Sequence, residues 1–464
     1  MSNIAILAFS YVSLSLILCI YGSRSDLSCL KSYLYAIGLN VFPLIYSGYL
    51  GNESTRIMRI PIAYLPFLAC FICSIFRSKG KILKKEQKAF AVYCFLLFYL
   101  LIQSFVINAI QDYSSFFQYY MMWAMNIFNV FSVSVIVRRV ELKEIINLLE
   151  LFVLIIFFSA LVGIFKYLIG LQNDANFMPM MNRNGTSFLV VIAVSIILFL
   201  IETKHVTYAS FICSVLVFFV CIVLMQSRMG ILGFCTAFIA HGFYRWRSRI
   251  ASQLMLVVIF VSVLTIILRL PIGELARERF IRTGYTVKAL YSQEELDPTV
   301  GDYARVQLLK YGMQIIERNF IFGTGVGLEN YRAKLRELNP IRESKPHNFY
   351  VSYLAEFGFV GFSILMLLLI SIWMRLSKIS ISKEMSDTFK AHCLTVIAML
   401  FMNEYITFPF IWFIWGVGVG LSYKCECSWG ASNRTNLAWA KLTKSAKGGW
   451  KAGVLSAVVR GKKA

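Results

Sequence analysis

The sequence predicts an all-α, polytopic membrane protein: a transmembrane helical bundle of about 12–13 spans carrying one large helical loop outside the membrane. Three observations predict it. Hydrophobic residues make up 58% of the 464 positions and charged residues only 15%, with a mean hydropathy of +0.68. A soluble domain carries about 25% charged residues. Apolar runs such as 89–110, 148–170, 208–226, 251–270 and 349–374 reach or approach the roughly 20 residues that an α-helix needs to cross a bilayer. Basic connections, finally, alternate along the chain with poorly basic ones, which is the pattern of a chain that crosses repeatedly with its basic loops in the cytoplasm.

Taken in order, residues 1–270 hold spans 1–10, near 3–21, 32–50, 60–76, 89–110, 116–137, 148–170, 186–201, 207–226, 229–244 and 251–270. The segments RSKGKILKKEQK (77–88), RRVELK (138–143), RWRSR (245–249) and RLSKISISK (375–383) are the cytoplasmic set, facing QDYSS (111–115) and LQNDANF (171–177) on the other side. Residues 271–346 form the large outer loop, and 347–423 supply spans 11–13, near 347–374, 391–403 and 405–422. A basic tail, 424–464, stays inside, held on anionic lipid or solvated. The net charge of +22 is thus a topology signal and gives no reason to expect nucleic acid as a partner. The first span lacks the positive n-region of a cleaved signal peptide, so it is expected to remain as a helix. Cysteines such as Cys70, Cys73, Cys221 and Cys393 fall in apolar spans, where a thiol behaves as a small hydrophobe.

The outer loop is the one extramembrane segment large enough for a site, and it is rich in both signs of charge. GDYARVQLLKYGMQIIERN reads as a helix with Asp302 as N-cap and an apolar stripe of Leu309, Met313 and Ile316 at i, i+4 and i+7. Arg305 lies one turn before Leu309 on that stripe. NFIFGTGVGLENY follows, with Gly323, Gly325 and Gly327 alternating. Without a strand before it and a helix closing a βαβ unit it is no dinucleotide fingerprint. It reads as a tight loop returning the chain to the membrane, or one whose free amides face a phosphate.

The border stretch KPHNFYVSYLAEFG carries one of only four histidines. Pro346 suits the first position of a helix, which would set His347 in the first turn of span 11. A stripe of His347, Val351, Leu354 and Gly358 would then share one face, with Gly358 and Gly361 admitting another helix closely. The positive end of the helix dipole disfavours imidazolium, so the ring is expected neutral, as a general base must be; the alternative is an interfacial residue that caps the span. Arg228 in LMQSRMGILG and Arg183 in PMMNRNGTSF stand just before apolar spans on the outer side, against the positive-inside bias. If Arg183, Arg228 and Arg305 converge near His347, they offer planar donors suited to phosphate. Glu150, Lys166, Arg269, Glu356 and Glu404 are further ionisable residues in or near spans, and rank after these.

SRMGILG after a span, Arg305-x3-Leu309 opening a loop helix, IFGTGVGLENY, and His347, with Asn348 next to it, separated by ten intervening residues from Gly358 occur in one order across 228–362. In that combination the chain resembles the O-antigen ligase and O-antigen (exopolysaccharide) polymerase superfamily of bacterial envelope glycosyltransferases. The resemblance implies a multi-pass protein of the bacterial inner membrane with its site facing the periplasm. The implied donor is a glycan on undecaprenyl diphosphate, and the acceptor is a sugar hydroxyl of a glycan or of lipid A core. It implies His347 as catalytic base, Arg228 and Arg305 as diphosphate ligands, and Leu309, Gly323, Gly325, Gly327, Asn348 and Gly358 as motif positions. Arg183 is added by placement alone. No cofactor and no metal are expected; the acidic run Glu294-Glu295-Leu296-Asp297 precedes Pro298 in a polar turn. Membrane lipids, and a flippase or chain-length regulator acting on the same glycan, are the other expected partners. The long tail and loop lean toward a polymerase; a ligase is the alternative, and a flippase or transporter would instead show inverted repeats and midplane charges.

Overall fold

The computed structural model describes residues 3–41, 56–57, 60–61, 65–78, 82–106, 113–178, 183–202, 205–245, 303–338, 343–379, 383–401 and 405–424, with isolated residues at 258, 262, 265, 269 and 340. Among the described residues nine helices precede the large loop: α1 (Asn3–Ser23), α2 (Asp26–Val41), α3 (Leu65–Ser78), α4 (Lys84–Val106), α5 (Tyr113–Val137), α6 (Leu142–Leu168), α7 (Arg183–Glu202), α8 (Tyr208–Leu224) and α9 (Arg228–Arg245). The loop contributes α10 (Tyr303–Arg318) and α11 (Leu328–Arg336), followed by α12 (Phe349–Leu376) and α13 (Lys383–Leu400). A 3-10 turn at Tyr405–Thr407 leads into α14, residues 409–424. One two-residue antiparallel pairing, β1 (Arg56–Ile57) with β2 (Ile60–Pro61), is the only strand pairing among the described residues.

The protein is therefore an all-helical membrane bundle. Among the described residues, Lys84–Phe105, Phe116–Val137, Leu142–Leu168, Arg183–Ile201 and Phe349–Leu376 are long and apolar enough to cross a bilayer, and Phe9–Ser23, Leu65–Ser78 and Tyr208–Leu224 are shorter apolar helices. Phe158, Phe165, Leu367 and Phe95 are more than half exposed, as side chains that face lipid should be. Helix α7 sits at the centre of the bundle, against α6, α8, α9 and α13, and nearly all of its residues from Thr186 to Leu200 are buried.

Several expected boundaries move. Helix α2 starts at Asp26, six residues before the predicted span, and residues 42–50 of that span lie outside the described residues. Residues 60–61 are strand, so the third helix begins at Leu65. Helix α13 ends at Leu400, and the 3-10 turn and the start of α14 meet polar side chains from α5: the Asn126 amide donates to Thr407 O at 2.8 Å and that of Asn129 to Pro409 O at 3.4 Å. Span 251–270 is described at four isolated residues only.

At one end of the bundle the basic residues gather. Arg139 pairs with Asp26 at 3.1 Å and donates to Arg77 O, and Arg138 pairs with Glu86 at 2.9 Å, joining α2, α3, α4 and the end of α5. Arg375 lies over the Tyr423 ring at 4.6 Å at that same end. The opposite end carries α10, α11 and the start of α12. These build a small second core of their own from Leu308, Ile315, Ile316, Tyr331, Leu335 and Ala355, separate from the core of the bundle.

Candidate functional site

Helix α12 begins later than Pro346 suggests. Asn348 is its N-cap, with extended backbone (φ −133°, ψ 118°) and a side-chain oxygen that accepts from Val351 N–H at 3.1 Å. An asparagine cap satisfies an otherwise orphaned helical amide, so it outcompetes a proline start two residues earlier. His347 is thereby excluded from the first turn. It stands exposed just outside the helix with φ +54°, a left-handed backbone that a residue with a β-carbon adopts at a cost of about 1–2 kcal/mol.

Both flanks of that strained residue are fixed. On one side Asn348 also donates its amide to Phe401 O at 2.9 Å. On the other, Pro346 is buried against Gly312, and the Lys345 ammonium forms an ion pair with Glu356. The two side chains are only 7% and 1% exposed. Lys345 Nζ lies 4.9 Å from the centroid of the Tyr119 ring and 5.7 Å from that of Tyr353. Removing one member of such a pair strands a buried charge, a change that costs about 3–5 kcal/mol.

Gly358 does not continue a helical stripe. Its backbone (φ +64°, ψ −178°) kinks α12, and the carbonyls freed at the kink are taken by the glycine loop. Thr324 N–H donates to Ala355 O at 2.9 Å and Gly325 N–H to Glu356 O at 3.0 Å. In return Phe359 and Val360 donate to the carbonyls of Phe320 and Ile321, at 2.7 and 3.2 Å. Gly327 N–H donates to the Glu356 carboxylate at 3.3 Å, and Gln103 of α4 donates to Glu356 O at 2.9 Å. Gly323, Gly325 and Gly327 all have positive φ, and a β-carbon on Gly323 or Gly358 would run into the backbone of the facing segment. The amides of this loop therefore serve α12 and form no phosphate cradle. Gly361 admits another helix closely, as expected, through the Tyr99 ring of α4, and Val351 and Leu354 face the loop helices.

On α10 the buried stripe is Leu308, Gly312 and Ile315, one residue out of step with the expected Leu309, Met313 and Ile316. Met313 is 50% exposed and Leu309 half-buried, while Ile316 is buried as expected. The reason is Gly312: a β-carbon there would lie 2.6 Å from Val351 Cγ1, so this bare position is where the two helices touch. Gly312 meets Val351 and, just past the end of α10, Phe320 stacks on Phe359 at 5.4 Å, so α10 lies along α12 in the same direction. Arg305 lies in the first turn of α10, on the side of Gly312 away from the α12 kink. Asp302 and the acidic run at 294–297 lie outside the described residues.

Arg183 and Arg228 open neighbouring helices. The Ser227 hydroxyl donates to Asn184 Oδ1 at 3.1 Å and accepts from Gly230 N–H at 3.1 Å, and the Ser187 and Ser227 hydroxyls are 2.7 Å apart. Gly230 brings the first turns of α7 and α9 into contact, since a β-carbon there would lie 2.7 Å from Ser187 Cβ. The last turn of α13 then bridges to α12. Met399 packs on Gly233, while Tyr350 donates to Ile397 O at 3.1 Å and stacks near Phe401 at 4.3 Å. Arg183, Arg228, Arg305 and His347 are thus brought to one end of the bundle, the end opposite the basic loops. Of the second-rank residues, Glu356 is buried in its ion pair, Lys166 is buried near the end of α6, and Glu150 is half-buried. Arg269 is an isolated described residue and Glu404 lies outside the described set. Among the described residues no three His, Cys, Asp or Glu side chains come together as a metal site.

Sequence reasoning missed the partnership of Lys345 with Glu356. A carboxylate in the apolar run FYVSYLAEFGFVGF was the available signal, because such a charge requires a partner.

Residues 212–366 match the O-antigen ligase family model. The match runs from within α8 through α9, the loop helices and the glycine loop to beyond the α12 kink, and so bears out the superfamily resemblance carried by the motifs. The O-antigen ligase match takes in Arg228, Arg305, the three glycines, His347, Asn348 and Gly358, and leaves Arg183 outside. A search of curated proteins finds no match.

Proposed function

We propose that the protein is a polysaccharide polymerase of the bacterial inner membrane. It moves a glycan from undecaprenyl diphosphate to a sugar hydroxyl of a second lipid-linked glycan at the periplasmic face. One observation carries this reading: within the O-antigen ligase match, an exposed histidine held in a strained turn shares one end of the bundle with Arg228 and the start of α10. In the transfer, the acceptor oxygen attacks the anomeric carbon as its proton passes to His347, and the bond from that carbon to the diphosphate oxygen breaks. Undecaprenyl diphosphate leaves, and the configuration inverts. Diphosphate is already a good leaving group, so the barrier falls chiefly by stabilising the charge that grows on it, the role of Arg228, Arg305 and Arg183. His347 is the general base. The glycan supply requires a flippase upstream, and a chain-length regulator is the expected partner at the same stage.

The family description favours a second reading, a ligase that delivers the finished chain to lipid A core. Mass spectrometry of lipid-linked glycans in a host lacking the gene, complemented with wild type or with His347→Ala, separates the two. Single repeats accumulating without the gene, and again with His347→Ala, are expected of the polymerase. Long lipid-linked chains beside bare lipid A core would establish the ligase in its place. Unchanged glycan pools would refute transfer altogether.

A further inference from the structure

We propose that the buried Lys345–Glu356 ion pair is the positioning device for His347, a role that rests on the reading of His347 as the base. Stability alone does not explain the pair. Two charges taken this far out of water gain little over apolar side chains of the same volume, so their retention calls for a job in fixing geometry. The geometry to be fixed is two residues away. A left-handed histidine persists only where its surroundings over-determine it, and such residues cluster at active sites. Asn348 locks the chain after His347 through the helix cap and Phe401, and Lys345 locks the chain before it.

Lys345 reaches back to Glu356, eleven residues on and inside the kinked part of α12, and Glu356 is a node. Its carboxylate takes the lysine and the Gly327 amide; its carbonyl takes the Gly325 amide and the Gln103 side chain. One residue thus couples the His347 turn to the glycine loop and to α4. The ring faces of Tyr119 and Tyr353 keep the ammonium from swinging away. Lys345 and Glu356 are both buried, so neither touches substrate; they act through the backbone of residues 345–348.

The test uses the full-length protein in lipid nanodiscs with lipid-linked donor and acceptor. Glu356→Gln keeps an acceptor for Gly327 N–H but leaves the lysine charge buried, so it is paired with the neutral double variant Lys345→Met/Glu356→Gln, which removes both charges at near-constant volume. The expected result for the double variant is normal folding, donor KM unchanged, and kcat lower by roughly 10- to 100-fold, the range for misplacing a catalytic group by about 1 Å. In a His347→Ala background the same double substitution is expected to cause no further fall in the residual rate, since nothing is left to position. Wild-type kcat in the double variant, or losses that multiply with that of His347→Ala, would overturn the proposal. His347→Ala alone keeps the two ideas apart. Wild-type turnover there sinks the general-base reading, whereas a dead His347→Ala beside a fully active double variant sinks only the positioning role.

Discussion

Replacing His347 with glycine and with alanine isolates the cost of its backbone. At φ +54° the β-carbon is the source of strain, worth about 1–2 kcal/mol for a left-handed residue. The imidazole is exposed, so truncating it forfeits little burial. Alanine keeps the β-carbon and the strain; glycine removes both, at an entropic cost of roughly 0.5–1 kcal/mol in the unfolded chain. At an ordinary site alanine is the more stable of the two. At 347 the order should reverse, with His347→Gly more stable than His347→Ala by about 0.5–1 kcal/mol. Equilibrium unfolding in mixed micelles reads the difference directly. An alanine variant equal to or more stable than the glycine variant would show that the turn is not left-handed in the membrane, and the argument from strain to function would fall with it. Both variants should lose transfer, so glycine is expected to trade function for stability at this one position.

Three further outcomes follow from the packing. Gly312→Ala drives a methyl group to 2.6 Å from Val351 Cγ1, and should loosen α10 from α12 by about 1–3 kcal/mol, seen as faster amide exchange across 303–318. Asn348→Ala removes the cap of α12 and should cost about 0.5–2 kcal/mol, with fraying confined to its first turn and largely repaired by Asn348→Ser. The Arg336 guanidinium, donating to Glu343 at 2.8 Å, holds that carboxyl below its usual range. The clasp between α11 and residue 343 is therefore fully present above the unfolded carboxylate pKa of about 4.3 and is lost as pH falls from there through the lower folded value. Proteolysis within 337–346 should accelerate at acidic pH in wild type and lose that dependence in Glu343→Gln.

The fold class was legible because hydropathy is a local property summed over a span: α4, α5, α6, α7 and α12 all fall within a few residues of their predicted runs. The loop helix at 303–318 was legible by periodicity, yet its inward face was not, because Gly312 makes the decisive contact with no side chain for a hydropathy pattern to register. The start of α12 was readable in principle. Asn348 three residues before Val351 is a stronger signal than Pro346, and weighing the cap first would have put His347 outside the helix. The kink was beyond reach. Gly358 reads equally well as a close helix contact, and only the loop at 319–327, some 35 residues earlier, shows that its freed carbonyls are spoken for.

The second small core has a consequence for how the protein is made. Leu308, Ile315, Ile316, Tyr331 and Leu335 leave the ribosome before Ala355, Val351 and Leu354, the α12 residues that complete their packing. The loop helices are therefore made with an apolar face still uncovered, and it stays so until the first turns of α12 have followed. A chain halted before residue 360 would present that face to proteases and chaperones. The loop can close over its own core only after the helix carrying the kink has been made.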